Sequence, residues 1–517
     1  MKQLRKIDTS TYIALLAILI ATILVFIPTP YGFSLDYDTY LSVSLSNHSS
    51  FGGIVPPFIG YYIKFFSLIF GNINVALNFA SALLVAGQIY SLKMILDVLF
   101  SKNKSLILIL TLGVCSAIFL SARVDYEETT KVLWLLSILF YLRLIKTGNK
   151  NNYLYLGVVI GIALINKWDI LWLAFPMFLG LIFFPIRKTI YSKEFLIGLF
   201  VLIIIPLPYL IWMKNHDFIN LTYYLSYNDV QPISLFESFI GSFNIFTLLT
   251  IPLWIIGSID LYLRSKKHSY LKVFLFVIIL EWLLVIITKA PSYLSLPIAM
   301  VLFAYGISFI LFTLKNFKWL QYIGIVYVLV IIFIDLISIP IAKGPYFTLE
   351  MTKRLNHIFF RTSTLNIAMQ SHVGGKEITQ YISQLYQKLE NKNQIGIWTN
   401  SYFIAAPIAF YHKKYHLPEP ISNHQDFFLW ANQANLDKHE FIYIGPEKIN
   451  STYQTFHQIA LSDIFQNVRQ IGKINIADAP SYVNQPVWLV SDFKNNQNLS
   501  SLWKQLSNMS QEKESTD

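Results

Sequence analysis

Two short stretches of the chain hold carboxylates at spacings that suit acid-base work. They are Asp36-Tyr37-Asp38-Thr39-Tyr40 and Arg123-Val124-Asp125-Tyr126-Glu127-Glu128, and each adjoins a long apolar block. A carboxylate kept at the end of an apolar block is costly there and tends to mark a functional cavity. Placed beside an attacking group it serves as a general base. The carboxylates of these two stretches are therefore candidates for chemistry, with Asp169, Asp217, Asp229 and Glu237 as further carboxylates between apolar blocks. The chain carries no phosphate-binding glycine loop, no Gly-x-Ser-x-Gly and no His-Glu-x-x-His. Those gaps speak against ATP-driven transport by this chain alone and against the common soluble hydrolases. Cys115 is the single cysteine and lies in an apolar block, so neither a disulfide framework nor a cysteine metal site is available.

The elements that must hold these residues are membrane spans. The 517 residues are 55% apolar and 16% aromatic, with 13% charged, about half the charged share of soluble domains. Blocks 12–27, 106–120, 195–210, 271–287 and 319–341 are each near the length that a hydrocarbon core requires, roughly 20 residues. The first reads as a retained helix rather than a removed signal peptide. The formal charge of +11 is spread over basic clusters at Lys2/Arg5/Lys6, Lys93/Lys102/Lys104, Arg143/Lys146/Lys150, Arg187/Lys188/Lys193, Arg264/Lys266/Lys267 and Lys315/Lys318. They recur after every second span, which assigns them to cytoplasmic loops, sets the N-terminus inside and predicts about eleven spans. The carboxylates then fall on the outer face, and the charge calls for no nucleic acid. Tyr61, Tyr62, Trp168, Trp172, Trp212, Tyr223 and Tyr224 read mostly as an interfacial belt.

After residue 341 polar residues become frequent and no later block is long enough to span. Residues 378–389 have helical periodicity. Ile395-Gly396-Ile397-Trp398, Phe441-Ile442-Tyr443-Ile444 and Val487-Trp488-Leu489-Val490 read as strands. The expected organisation is a polytopic α-helical membrane domain over 1–341, an α/β domain over 342–507 and a disordered tail over 508–517.

The motifs resemble a known family at this point. Asp36 to Tyr40 is similar to the Asp-Glu-x-x-Tyr element of membrane glycosyltransferases with the C-type fold, in the broad group of protein mannosyltransferases and lipid A aminoarabinose transferases. Val55-Pro56-Pro57-Phe58 resembles that group's His-Pro-Pro-Leu, and Phe70-Gly71 its later Phe-Gly. Asp125 ahead of Leu133-Trp134 resembles its Thr-Asp-x-Pro loop. Gly157 through Lys167, Pro208 to Trp212 with Asn215-His216, and Lys289-Ala290-Pro291-Ser292-Tyr293-Leu294 continue the likeness. Ala405 to Tyr411 and Gln425 to Trp430 are similar to the outer domain of bacterial members. Tyr37 and Val55 depart from the pattern, standing where the group has Glu and His.

The resemblance implies transfer of a sugar from a polyprenyl phosphate such as undecaprenyl phosphate, with inversion, on the periplasmic face of a bacterial inner membrane. Acceptors compatible with it are lipid A, another envelope glycan or a protein. Asp36 is favoured as base because it places Tyr40 on the family tyrosine, with Asp38 as the alternative; Asp125 would bind the acceptor or position the base. Lys64, Arg123, Lys167 and Lys289 are the cations for the departing phosphate, and Tyr40 and Tyr293 join them as substrate-binding residues. Some relatives bind a divalent metal, for which Asp38, Glu128 and His216 are the ligand candidates here. Two rival readings stand beside this one: a lipid or glycan transporter lined by the same carboxylates, and a catalytically dead scaffold.

Overall fold

The structure, a computed structural model, describes residues 31–48, 51–52, 55–101, 104, 108, 123–220, 234–243, 250–338, 340–341, 344–345, 347–360, 370–423, 425–450, 458–476, 478–479, 482–496 and 498–502. The apolar block 12–27, nearly all of 106–120 and the tail 508–517 lie outside these. The chain divides into two compact units. The first comprises 1–27, 65–211 and 233–342; the second comprises 28–64, 212–232 and 343–517.

The first unit is helical. Three of its helical stretches, Ile73–Leu99, Ser269–Ile287 and Tyr293–Asn316, are long and apolar enough to cross a membrane. Two bent pairs raise the number among the described residues to five: Ile170–Phe183 with Pro185–Tyr191, and Lys193–Ile204 with Leu207–Lys214. The second pair bends by 43° at Pro206 and Pro208, since proline removes a helix donor and clashes with the preceding turn. In lipid, burial of apolar surface does not drive helices together, so close backbone approach at small residues takes its place. Gly257 and Gly306 provide such an approach. A Cβ on Gly257 would stand 1.9 Å from the Leu302 carbonyl oxygen, and one on Gly306 would stand 2.1 Å from that of Leu253. The helix Tyr126–Thr147 starts on the Asp125 cap and ends on Gly148, whose φ is +69°. Its acidic first turn and Lys146 in the last turn match the helix dipole.

The second unit is built on a mixed five-stranded sheet. Its strands are β1 (Ile395–Thr399), β2 (Ile421–Ser422), β3 (Glu440–Ile444), β4 (Phe465–Ile474) and β5 (Gln485–Phe493), in the order β2-β1-β3-β5-β4. β1 runs parallel to β2 and β3, while β5 is antiparallel to β3 and β4. Alternate side chains fill two cores, as a pleated strand buried on both faces requires. On one face Ile395, Ile397, Ile442, Ile444 and Val487 pack with Ile378, Ile382, Ile404 and Ile408 from helices Gly375–Gln387 and Tyr402–Tyr411. On the other, Trp398, Phe441, Tyr443 and Val490 pack with Leu461, Ile464 and Phe465. Phe33 and Tyr37, from the opposite end of the chain, belong to the first core.

Candidate active site

Asp36 caps the helix Tyr37–Asn47 in the second unit. Its Oδ1 accepts from the backbone N–H of Asp38 and of Thr39, each at 3.1 Å, and its Oδ2 accepts from the Thr39 hydroxyl at 2.6 Å. The carboxylate is fully buried, and these bonds fix its orientation. Asp38 in the first turn is half-buried, and its Oδ1 accepts from the Tyr402 hydroxyl at 3.2 Å.

The approach to this helix is fastened just before it. Ser34 donates its N–H to the His372 carbonyl at 2.7 Å, and His372 Nδ1 lies 3.0 Å from the Ser34 carbonyl, a contact that requires the proton on Nδ1. The Tyr37 ring meets Phe403 and Tyr482 edge-on, at 5.0 and 5.9 Å between centroids. Tyr40, expected to touch substrate, has packing partners on every side. Its ring meets Phe410 and Tyr411, and its hydroxyl donates to that of Tyr411 at 3.2 Å. Burial, then the neighbouring Tyr411, drives the Tyr40 hydroxyl well above its ordinary range.

Elsewhere in this unit, His216 sets Nδ1 2.8 Å from the Trp212 carbonyl and stacks on that ring at 4.1 Å. His48 stacks on Trp430 at 4.8 Å and reaches Glu419 at 3.3 Å. The Val55 N–H donates to buried Asp426 at 3.4 Å. Lys64 is half-buried on helix Phe58–Phe70.

The first unit holds the second group of carboxylates. Asp125 Oδ1 accepts from the Glu128 N–H at 2.8 Å, and its Oδ2 lies 3.4 Å from Arg123 Nε. Glu128 is fully buried. Its Oε1 pairs with Lys131 at 2.8 Å and lies 4.0 Å from Arg123 Nη2, and its Oε2 accepts from Gln88 at 3.1 Å. Two cations and an amide already answer this carboxylate, so Glu128 does not suit a divalent cation.

Beside Glu128 in the chain, Glu127 pairs with Lys167, which also lies 3.2 Å from Asp169. Lys167 also donates to the Tyr293 hydroxyl at 3.2 Å, which in turn donates to Glu127 at 3.0 Å. Burial pushes the Asp169 carboxyl up to about 6; Lys167 opposes the rise and Glu127 adds to it. Lys289 sits half-buried in the turn before Tyr293 with φ +54°, a left-handed conformation rare for a residue with a side chain. That turn is tied at both ends, by Trp172 donating to Thr288 and by Ser295 donating to Glu281, each at 2.8 Å.

Residues 55–212 match the family model of dolichyl-phosphate-mannose-protein mannosyltransferases. No curated protein matches the chain. Among solved structures the fold is similar to ArnT of Cupriavidus metallidurans. In the apo state that likeness has a TM-score of 0.56 at 11% identity, over 93% of this chain and 98% of that one. Bound to undecaprenyl phosphate, the same enzyme gives 0.58 at 10% identity, over 93% and 97%.

The chain has the GT-C fold of these structures. It is a membrane protein, and the segment matched by the family model includes Lys64, Arg123, Asp125, Glu128 and Lys167. Asp36, Asp38, Tyr40, His216, Lys289 and Tyr293 lie outside the matched segment. Sequence reasoning passed over His372, Tyr402 and Glu419. For Tyr402 a signal was available. It directly follows an apolar strand and opens a helix, and in open α/β sheets ligands gather beyond the carboxyl ends of parallel strands.

Proposed function

We propose that this GT-C protein transfers a sugar from a polyprenyl phosphate of the undecaprenyl type to an acceptor hydroxyl or phosphate on the periplasmic face of a bacterial inner membrane. In this reading the acceptor is an envelope molecule: lipid A, another glycan or a protein. Residues 1–341 form the membrane portion, with about eleven spans and a cytoplasmic N-terminus. Residues 342–507 form the periplasmic α/β portion. The observation that carries the reading is the likeness of fold along nearly the whole length of an ArnT that was solved with undecaprenyl phosphate bound.

The acceptor oxygen attacks the anomeric carbon from the side opposite the phosphate. The bond from that carbon to the phosphate oxygen breaks, polyprenyl phosphate leaves, and the configuration inverts. Asp36 takes the acceptor's proton as general base, and its cap bonds hold it oriented before substrate arrives. Asp38 stands beside it as the alternative, and Asp125 binds the acceptor.

Lys289 neutralises the departing phosphate as charge develops. Among the described residues no ion pair joins Lys289 to a carboxylate, whereas Lys167 is matched by Glu127 and Asp169. Arg123 lies beside Asp125 and Glu128.

The deciding experiment offers a mixed pool of polyprenyl-phosphate sugars and envelope lipids to the protein in proteoliposomes. The native protein is expected to transfer sugar, with loss in Asp36→Asn or Asp38→Asn. If the native protein transfers nothing from any donor but moves lipid between leaflets, the enzyme reading fails and the transporter reading replaces it.

A further inference from the structure

The sheet of the second unit reaches a topological switch at β1, because the strands that pair with it, β2 and β3, lie on opposite sides. Open α/β sheets hold their ligands outside the carboxyl ends of the strands at such a point. Here the residues following β1 meet the chain's own acidic motif instead. Phe403 packs on the Tyr37 ring, and Tyr402 donates to Asp38 Oδ1 at 3.2 Å. Tyr482 closes the arrangement from behind. Its hydroxyl donates to the Phe403 carbonyl at 2.7 Å while its ring abuts Tyr37. Gly374, with φ +91°, brings the backbone against the Tyr482 ring, where a Cβ would stand 2.6 Å away.

The Tyr402 and Phe403 rings lie 4.2 Å apart between centroids, so Tyr402 has little freedom to leave its bond. Asp36 is oriented by backbone N–H groups and the Thr39 hydroxyl of its own helix, whereas Asp38, two residues further on, is reached by a donor from 364 residues away in sequence. A carboxylate on an exposed helix turn samples several rotamers; one that accepts from a packed phenol is held to the rotamer that keeps the bond.

We infer that Tyr402 is a positioning residue for the transfer reaction, holding the Asp38 carboxylate in the orientation from which it assists Asp36. This rests on the glycosyl-transfer reading above. The residue lies outside the acidic motif and outside the segment that the family model matches.

The test is a double-mutant comparison in the proteoliposome assay, using Tyr402→Phe, Asp38→Asn and the two together. Tyr402→Phe keeps the ring and removes only the donor. It is expected to lower kcat by roughly tenfold to a hundredfold, the worth of a hydrogen bond to a charged group. The donor KM is expected to stay within about twofold, because the phosphate contacts lie elsewhere. In the Asp38→Asn background Tyr402→Phe is expected to cause no further loss.

Full activity of Tyr402→Phe in the presence of native activity overturns the inference and leaves the glycosyl-transfer reading intact. So does an equal loss in both backgrounds, which places the effect of Tyr402 somewhere other than Asp38. The comparison decides even where Tyr402→Phe lowers the melting temperature, since a packing defect multiplies with Asp38→Asn and a shared hydrogen bond does not. Absence of transfer by the native protein from every donor overturns both readings together.

Discussion

Lys167 and Tyr293 meet at 3.2 Å although 126 positions separate them in the chain. Both were expected at the substrate, and the structure adds what holds them: Glu127 accepts from each, and Asp169 lies on the other side of the ammonium. Two carboxylates and one lysine in a buried setting form a unit whose members cannot be removed singly without cost.

Lys167→Met leaves Glu127 and Asp169 without their cation. Breaking a buried pair of this kind costs about 3 to 5 kcal/mol, so the variant is expected to melt well below the native protein in detergent. The triple change Lys167→Met, Glu127→Gln, Asp169→Asn is expected to recover much of that loss. Equal melting of the single and triple variants would remove the case for a coupled cluster.

Asp36 combines a structural task with the proposed chemical one, and two substitutions separate them. Asn caps a helix about as well as Asp, whereas Ala costs about 1 kcal/mol at such a position. Asp36→Asn is therefore expected to keep the melting temperature and lose transfer by about a hundredfold or more, the usual worth of a general base. Asp36→Ala is expected to lose both. Transfer that survives Asp36→Asn and disappears in Asp38→Asn would assign the base to Asp38.

Lys289 adopts a backbone conformation that glycine takes without strain. Lys289→Gly thus removes the ammonium while relieving the turn, and any loss of donor binding reports on charge alone. The donor KM is expected to rise about tenfold or more, from the loss of a charge-assisted contact, with the melting temperature unchanged or higher. An unchanged KM would take Lys289 out of the phosphate site.

The Glu419 carboxyl is held below its usual range, chiefly by the hydrogen bond from His48, with burial opposing and His412 and Lys413 adding smaller pulls. A carboxyl depressed in the folded state contributes stability above its unfolded value, about 4.3, and that contribution is lost as pH falls through the folded value. The melting gap between the native protein and Glu419→Gln is expected to hold above that unfolded value and to close as pH falls below it. A gap that widens in acid would reverse the sign and refute the assignment.

What could be read from the sequence was whatever leaves a local pattern. The runs at Ile395, Phe441 and Val487 lie within β1, β3 and β5 because branched and aromatic side chains suit a pleated surface buried on both sides. The helical periodicity of 378–389 falls largely on Gly375–Gln387. The expected eleven spans exceed the three to five that the described residues provide, partly because two of the apolar blocks fall outside them. Prolines also divide block 195–210 between two shorter helices. The partners of the acidic motif left no local trace. Ser34 with His372, Asp38 with Tyr402 and His48 with Glu419 are pairs that only the folded chain brings together. The same distance hid half the setting of Lys167, whose partner Asp169 is two residues on while Glu127 comes from another helix.

The junction of Ser34 with His372 also sets a schedule for synthesis. The two residues are 338 positions apart, so at roughly 5–20 residues per second the ribosome delivers His372 roughly 20 to 70 s after Ser34. Throughout that interval Phe33 and Tyr37 lack the core into which they pack, and the acidic motif has neither its fastening at His372 nor its bond from Tyr402. A nascent chain that has already inserted its early helices therefore waits for these contacts until the strands of the second unit have been made. Under the proposed glycosyl transfer, a ribosome that stalls before that point would leave an inserted protein whose acidic motif is unfastened and inactive.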